Sequence, residues 1–242
     1  MTKRLEGRIA LVTGASRGIG RAVAKRYAAE GATVIAVART QGALEELDDE
    51  VRADGGMPLV LVPQDLRKGD DLDRMGLALY ERFKKLDVMV ANAGVLGVLG
   101  PITHLKPKDW DDVIATNLTA QWRLLRSLDP LLRQSDSGRA IFVTSSVARE
   151  ARAYWSAYAV SKAGLEMMAR IYAEETSNTA VRANIYDPGR TRTRMRAQAF
   201  PGEDENTLPP ADSHGDAFVN LAAADCTLHG TIVGPDGVIS GA

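Results

Sequence analysis

Residues 8–20 read Arg8-Ile9-Ala10-Leu11-Val12-Thr13-Gly14-Ala15-Ser16-Arg17-Gly18-Ile19-Gly20. The short apolar run at 9–12 is typical of a strand buried in a parallel sheet, and it is followed by a glycine-rich turn. Residues 21–30 have helical spacing and stop at Gly31, after which a second apolar run occupies 33–38. This order predicts a βαβ unit with a right-handed crossover.

The glycine turn has the spacing of a phosphate-binding loop. Gly14 permits a tight turn, Gly18 lets the backbone approach a phosphate, and Gly20 lets the helix pack close to the sheet. Backbone N–H groups at the start of the helix would then face a pyrophosphate. A simple tight turn is the alternative, but the strand and helix on either side favour a dinucleotide. The predicted contacts are Gly14, Ser16, Arg17, Gly18, Ile19 and Gly20.

The end of the second predicted strand indicates which dinucleotide binds. It reads Val37-Ala38-Arg39-Thr40 and lacks the acid that would hold the ribose 2′-hydroxyl of NAD. Arg39 and Arg17 can instead flank a 2′-phosphate through charge-assisted hydrogen bonds. We therefore predict NADP rather than NAD, with a solvated loop arginine as the alternative role of Arg39.

The rest of the chain continues the alternation of strands and helices. Apolar strands are predicted at 58–63, 86–91, 140–144, 181–185 and 231–233, and helices at 42–54, 70–84, 107–134, 155–176 and 215–224. Residues 190–214 are polar and contain proline, which predicts a surface loop or lid. The pattern indicates one α/β domain over residues 1–242, a three-layer doubly wound parallel sheet of the Rossmann fold.

Composition excludes several classes of protein. The net charge of -1 gives no electrostatic reason to expect nucleic acid or a membrane as partner. The single cysteine, Cys226, rules out an intrachain disulfide and fits a cytoplasmic protein. No metal is expected, because His104, His214 and His229 have no ligand spacing, and each is predicted to be a surface or loop histidine.

Tyr158 and Lys162 are four residues apart in a predicted helix and therefore lie on one face of it. A nearby ammonium group favours a phenolate, so we expect Lys162 to lower the pKa of Tyr158. Such a pair can donate and accept a proton. The same spacing also occurs by chance on amphipathic helices, and the other motifs of the chain decide between the two interpretations.

Taken together, the motifs resemble the short-chain dehydrogenase/reductase family over nearly the whole chain. They are Thr13-Gly14-xxx-Gly18-Ile19-Gly20, Asp65-Leu66, Asn92-Ala93-Gly94, Asn117, Ser145-Ser146, Tyr158-xxx-Lys162 and Pro188-Gly189-xxx-Thr193. The resemblance implies that Tyr158 is the catalytic acid/base and a cofactor contact. Lys162 would lower its pKa and hold the nicotinamide ribose, while Ser145 would bind the substrate oxygen and Asn117 would hold a bend and a water.

The resemblance also implies the remaining cofactor contacts. Asp65 and Leu66 resemble adenine contacts, and Asn92, Ala93 and Gly94 resemble the residues that line the adenine-ribose side. The nicotinamide amide and the phosphates would be bound by Pro188, Gly189, Thr191 and Thr193. The alternative roles are caps and turns for Asp65 and Asn92, and a turn for Pro188-Gly189.

The active serine remains a choice between two residues. Ser145 lies 13 residues before Tyr158, the commonest spacing in the family, whereas Ser146 precedes Val147-Ala148 as the active serine often does. We favour Ser145. The chain also departs from the family pattern, with Arg149 in place of a glycine, Asp187 in place of an asparagine, and His229-Gly230 where Thr-Gly is frequent.

These features predict an oxidoreductase that interconverts a carbonyl and an alcohol by hydride transfer with NADP(H). The alternatives are an NADP-binding sensor or scaffold without turnover, and an epimerase or dehydratase on the same fold. One or two arginines among Arg149, Arg152 and the 190–196 series are expected to meet an anionic group, unless that series is only a solvated basic loop. Helices 107–134 and 155–176 carry surplus apolar residues, and in the family that the chain resembles the corresponding helices pack into a subunit interface, so the resemblance implies a homodimer or homotetramer.

Overall fold

The computed structural model describes residues 3–239 and alternates strands with helices, as the sequence predicts. The strands are β1 (Ile9–Thr13), β2 (Thr33–Ala38), β3 (Val60–Pro63), β4 (Val88–Ala91), β5 (Arg139–Val143), β6 (Arg182–Tyr186), β7 (Ile232–Gly234) and β8 (Gly237–Val238). The α-helices are α1 (Gly18–Ala29), α2 (Gln41–Ala53), α3 (Gly69–Phe83), α4 (Pro107–Ile114), α5 (Ala120–Arg133), α6 (Ser156–Thr176), α7 (Arg194–Ala199) and α8 (Gly215–Ala222).

All eight strands form one sheet in the order β3-β2-β1-β4-β5-β6-β7-β8. Neighbouring strands from β3 to β7 run parallel, and the short β8 pairs antiparallel with β7. Two apolar layers cover the two faces, because successive side chains of a strand point in opposite directions. In β2, for example, Val34 and Ala36 pack toward α1, α2 and α8, whereas Ile35 and Val37 pack toward α3, α5 and α6. The predicted doubly wound parallel sheet is therefore confirmed.

The strand order reverses between β1 and β4, and such a reversal leaves a crevice at the carboxyl ends of the strands. Hydrogen bonds join the two strands there. The Thr13 hydroxyl accepts from the backbone N–H of Asn92 and of Ala93, both at 3.0 Å. The Asn92 side chain in turn donates to the Thr13 carbonyl at 2.8 Å. These bonds hold the glycine turn beside the loop that follows β4.

Four details of the secondary structure differ from the prediction. The first helix begins at Gly18 rather than at residue 21, and β8 was not predicted. The long helix over 107–134 is interrupted by a π-helical turn, Ala115–Thr119. The region expected to be a loop contains α7, whose N-cap Thr193 accepts a hydrogen bond from the Arg196 backbone N–H. Within residues 3–239, no helix combines the length and apolar composition needed to cross a membrane.

Candidate active site

A cavity of about 510 Å³ opens at the carboxyl ends of the strands. Its wall includes every predicted site residue except Gly20 and Asn117. Gly20 packs against Gly14 behind the wall, and Asn117 is hydrogen-bonded to the wall residue Val95. The cavity therefore collects groups that come from the ends of β1, β2, β4, β5 and β6 and from α6.

The glycine turn forms one end of this wall. Gly14 and Gly18 have φ values of 68° and 55°, a backbone conformation that residues with a Cβ rarely adopt. Gly20 has no room for a side chain, because a Cβ there would lie 2.4 Å from the Gly14 carbonyl oxygen. The turn thus brings backbone, rather than side chains, to the cavity at the start of α1. This is the geometry that a phosphate-binding turn requires.

Exposed cations lie at the outer part of the cavity. Arg17 and Arg39 are both exposed and line the cavity wall. Asp65 also lines this cavity, but its carboxylate pairs with Arg67 at 2.8 Å. That pairing, led by the hydrogen bond from Arg67, lowers the pKa of Asp65 to about 2. This end of the cavity therefore offers two guanidinium groups and a carboxylate that already has a partner.

The π-helical turn between α4 and α5 holds Asn117. Its side chain is fully buried, accepts from the Val95 N–H at 2.8 Å and donates to the Val95 carbonyl at 2.9 Å. It also donates to the Ser161 hydroxyl at 3.1 Å. Short π-helical turns are rare in proteins, and those that do occur are often found at functional sites. Asn117 thus links the loop after β4 to α6, and its π-helical turn changes the hydrogen-bond register within the predicted helix over 107–134, at the residue where a bend is expected.

Tyr158 and Lys162 lie together on α6, and both are buried. The ammonium nitrogen of Lys162 is 5.8 Å from the centre of the Tyr158 ring and donates to the Val143 carbonyl at 2.7 Å. Burial raises the pKa of Tyr158 to about 12 and lowers the pKa of Lys162 to about 8. In this structure burial disfavours the charged form of both groups, and it therefore acts against the lowering of the tyrosine pKa that the sequence predicts.

The two serines after β5 differ in position. Ser145 lines the cavity and partly offsets the effect of burial on the pKa of Tyr158. Ser146 begins the short 3-10 turn Ser146–Ala148 and is not among the residues of the cavity wall. The position of Ser145 is the one that can reach a substrate held beside Tyr158, so it remains the predicted active serine.

The turn after β6 carries Pro188, Gly189 and Thr191 into the wall. It is anchored by His214, which is buried between the Tyr186 hydroxyl and the Thr191 hydroxyl, each at 2.8 Å. The prediction of a surface or loop position is thus wrong for His214. Sequence pattern alone does not show that α8 brings this residue beneath the turn.

The other two histidines are less deeply placed. His104 is exposed, as predicted, whereas His229 is half-buried. The His229 ring accepts from the Ala183 N–H at 3.1 Å, and its second nitrogen lies 2.8 Å from the Ala173 carbonyl oxygen. His229 therefore ties the segment before β7 to β6 and α6.

The arginines of the lid differ in their partners. Arg196 pairs with Glu203 at 2.5 Å and lies over the Phe200 ring. Arg152 stacks over Trp155 and Phe200. Arg194 is exposed on the cavity wall, and within residues 3–239 it forms no ion pair. The pairing of Arg196 with Glu203 fits a basic loop balanced by its own acids, whereas Arg152, outside that loop, packs on aromatic rings.

Sequence reasoning missed one group of residues on the wall, an apolar patch next to Tyr158. Leu96 and Val147 pack with Tyr158 in a small buried cluster, and Trp155 and Met195 pack against it. Trp155 meets the Tyr158 ring edge to face, with the ring centres 6.0 Å apart. The available signal was proximity in sequence, since Leu96 and Trp155 each lie within three residues of a predicted motif.

The chain is similar in sequence to known dehydrogenases. The family profile described as short chain dehydrogenase matches residues 8–204. The oxidoreductase YciK of Escherichia coli strain K12 is 40% identical over 211 residues, which cover 86% of this chain and 83% of that protein. The 3-oxoacyl-(acyl-carrier-protein) reductase FabG of the same strain is 33% identical over 190 residues, which cover 78% of this chain and 76% of that protein.

Solved structures show the same similarity over the whole cavity. A short chain dehydrogenase from Shigella flexneri 2a strain 301, complexed with NADP, has a TM-score of 0.94 at 35% identity and covers 98% of this chain and 100% of that one. One from Escherichia coli CFT073, complexed with NADPH, has a TM-score of 0.93 at 35% identity, covering 97% and 99%. Every residue that lines the cavity falls within the range that the family profile matches.

Proposed function

The chain belongs to the short-chain dehydrogenase family, and we propose that it interconverts a carbonyl and an alcohol using NADP(H), with Tyr158 as proton donor and acceptor. One observation carries this proposal. The side chains suited to proton exchange, Tyr158, Lys162 and Ser145, line the same cavity as the glycine turn. A dinucleotide whose pyrophosphate is held at the glycine turn would lie in the same cavity as the proton donor, so that a hydride and a proton can reach one substrate.

The residues of the outer cavity fit a dinucleotide with a 2′-phosphate. The glycine turn offers backbone N–H groups to a pyrophosphate, and Arg17 and Arg39 offer guanidinium groups beyond it. Residues 37–39 at the end of β2 include no acid that would repel the phosphate. When bound, NADP(H) supplies or accepts the hydride at C4 of its nicotinamide ring.

The protein side chains perform the proton chemistry. Because burial raises the pKa of Tyr158 to about 12, its phenol is protonated at neutral pH and can donate to a carbonyl oxygen. Ser145 can hydrogen-bond that oxygen and hold it beside the phenol. Lys162, whose pKa is lowered to about 8, is mostly protonated at neutral pH and stabilises the phenolate that remains after donation. These assignments favour carbonyl reduction at neutral pH.

The wall beside Tyr158 indicates the kind of substrate. Leu96, Trp155 and Met195 form an apolar surface there, so the group attached to the carbonyl carbon is expected to be apolar. The relative FabG reduces a 3-oxoacyl group, and such thioesters therefore belong in a substrate panel together with ketones, aldehydes and quinones.

The test is NADPH oxidation by the purified protein across this panel, with NADPH binding measured in parallel by its fluorescence. We expect turnover of at least one class of carbonyl compound. Tight binding of NADPH without turnover of any member would favour the sensor or scaffold, which is the alternative function of the same cavity.

We expect Arg39→Ala to weaken NADPH binding about tenfold and NADH binding less than about twofold, because a charge-assisted bond to the 2′-phosphate is lost only with NADPH. Fluorescence titration with both cofactors measures this difference. Arg74→Ala is the matched control, since the Arg74 side chain is 73% exposed on α3. A wild-type protein that prefers NADH would contradict the assignment of NADP.

An assembly of two or four copies is expected from the outer surfaces of α5 and α6. Trp122, Met167 and Ile171 are 48%, 58% and 51% exposed, whereas Leu124, Leu128 and Leu165 are buried in the core. Light scattering is expected to give the mass of a dimer or tetramer, and Met167→Glu to reduce it. Met57→Glu is the control, because Met57 is 59% exposed away from these helices. A monomeric mass for the wild type would refute this prediction.

A further inference from the structure

Three charged side chains meet beside the cavity. The Arg149 guanidinium contacts the Glu166 carboxylate through one terminal nitrogen and the Asp187 carboxylate through the other. The two carboxylates are only 7% and 5% exposed, and the arginine is 23% exposed. Arg149 and Asp187 are also two positions at which the chain departs from the family pattern. The two departures are therefore in direct contact.

This cluster joins segments that carry predicted site residues. Arg149 lies on the loop that begins with Ser145, and Glu166 lies on α6 one turn beyond Lys162. Asp187 directly follows β6 and accepts a hydrogen bond from the Gly189 N–H at 3.0 Å. The arginine thus connects the loop after β5, the helix with the tyrosine and lysine, and the turn after β6.

Glu166 has a second partner that secures this arrangement. Its carboxylate accepts from the Thr144 hydroxyl at 2.7 Å, at the end of β5. A carboxylate with two such partners can stay ionised in a buried position. The cluster therefore places two carboxylates and one guanidinium group on and beside α6.

The same two acids define the charge around Lys162. Asp187 and Glu166 each raise the pKa of Lys162, against the larger effect of burial that lowers it to about 8. The Tyr158 ring and the Val143 carbonyl are its other close neighbours. Asp187 also raises the pKa of Tyr158 and that of Tyr186. Arg149 is the cation that pairs with both acids.

We propose that Arg149 is a positioning residue that holds the turn at Asp187 against α6 and sets the negative charge acting on Lys162. Without the arginine, two buried carboxylates would face each other with no cation between them, and the turn with Pro188 and Gly189 would lose its link to the helix. The inference rests on the proposed function, because Lys162 and this turn are taken to bind NADP(H).

The experiment measures the Kd of NADPH between about pH 7 and 10 by fluorescence titration. NADPH is an anion whose phosphates are ionised throughout this range, since a phosphate monoester has its second pKa near 6. Its affinity is therefore expected to fall as Lys162 loses its proton, with a midpoint near the lysine pKa of about 8. The variants are Arg149→Gln, Asp187→Asn, Glu166→Gln and Arg149→Gln/Asp187→Asn, with Arg74→Gln as the control on the surface of α3.

The inference predicts shifts of opposite sign from substitutions that break the same ion pair. Asp187→Asn and Glu166→Gln remove a negative charge near Lys162, so the midpoint is expected to fall by about one pH unit. Arg149→Gln removes the cation, so the midpoint is expected to rise by a similar amount. The midpoint of the double variant is expected to lie close to that of the wild type. The midpoint of Arg74→Gln is expected to equal that of the wild type. An asparagine at 187 can still accept the hydrogen bond from Gly189.

A merely structural role for Arg149 predicts a different result. Arg149→Gln and Asp187→Asn would then weaken binding at every pH without moving the midpoint, or would move it in the same direction, and either result overturns the inference. If Arg149→Gln does not fold, the other two single variants decide, because Arg149 keeps one carboxylate partner in each. If neither of these two variants lowers the midpoint, the inference is overturned. A wild type that fails to bind NADPH at any pH refutes the proposed function itself and the inference with it.

Discussion

Tyr158→Phe is expected to lower kcat for carbonyl reduction about 10³-fold, while the Kd of NADPH stays within about threefold of the wild-type value. The substitution removes the hydroxyl that gives the proton and leaves the ring that packs with Leu96, Val147 and Trp155. The fold should therefore survive with the proton donor gone. The measurement is the rate of NADPH oxidation with the best substrate of the panel, together with fluorescence titration of NADPH.

Tyr154→Phe is the matched control for this experiment. Tyr154 lies four residues before Tyr158, but its side chain is 61% exposed and does not line the cavity. We expect its variant to keep the wild-type kcat within about twofold, as substitutions of exposed side chains usually do. If Tyr158→Phe turns over as fast as Tyr154→Phe, another group must supply the proton, and the assignment of Tyr158 fails.

Gly20→Ala is expected to destabilise the protein by about 2–3 kcal/mol, because an added methyl group has no space and the backbone must move. The new Cβ would lie 2.4 Å from the Gly14 carbonyl oxygen and 2.5 Å from the Asn92 side-chain nitrogen. Gly14 and Asn92 both line the cavity, so we also expect NADPH binding to weaken at least about tenfold. Urea unfolding and fluorescence titration measure the two effects.

Gly42→Ala is expected to have the opposite effect on the stability of the protein. A Cβ at Gly42 would meet no atom within 4 Å, and the residue lies in the first turn of α2. Alanine there is expected to stabilise the protein by roughly 0.5 kcal/mol, because it lowers the entropy of the unfolded chain. Equal stability of the two variants would show that the close approach of α1 to the sheet at Gly20 is not required.

Much of the cavity wall was predictable because its residues lie at the ends of strands. Gly14, Asn92, Ser145 and Pro188 each follow an apolar run, and parallel strands deliver their carboxyl ends to one edge. A short local pattern in each segment therefore specifies a common location. The positions of Tyr158 and Lys162 followed in the same way from helical spacing.

Other features depended on contacts between distant residues. The π-helical turn at Asn117 is stabilised by bonds to Val95 and Ser161, which are 22 and 44 positions away. His214 is buried because Tyr186 and Thr191 both bind its ring. No local pattern in the sequence reports these partners, and the π-helical geometry and the burial of His214 were not predicted for that reason.

The sequence by itself determined the βα alternation, the dinucleotide turn and the order of the site motifs, because these depend on local periodicity and on single residues such as Gly14 and Gly20. Only the tertiary structure decided the charges within the site. It buried Tyr158 and Lys162, so that the pKa of Tyr158 is raised to about 12 and that of Lys162 is lowered to about 8, and it brought Arg149 to Asp187 and Glu166. Burial and ion pairing depend on which segments meet in space, whereas periodicity is carried by neighbours along the chain.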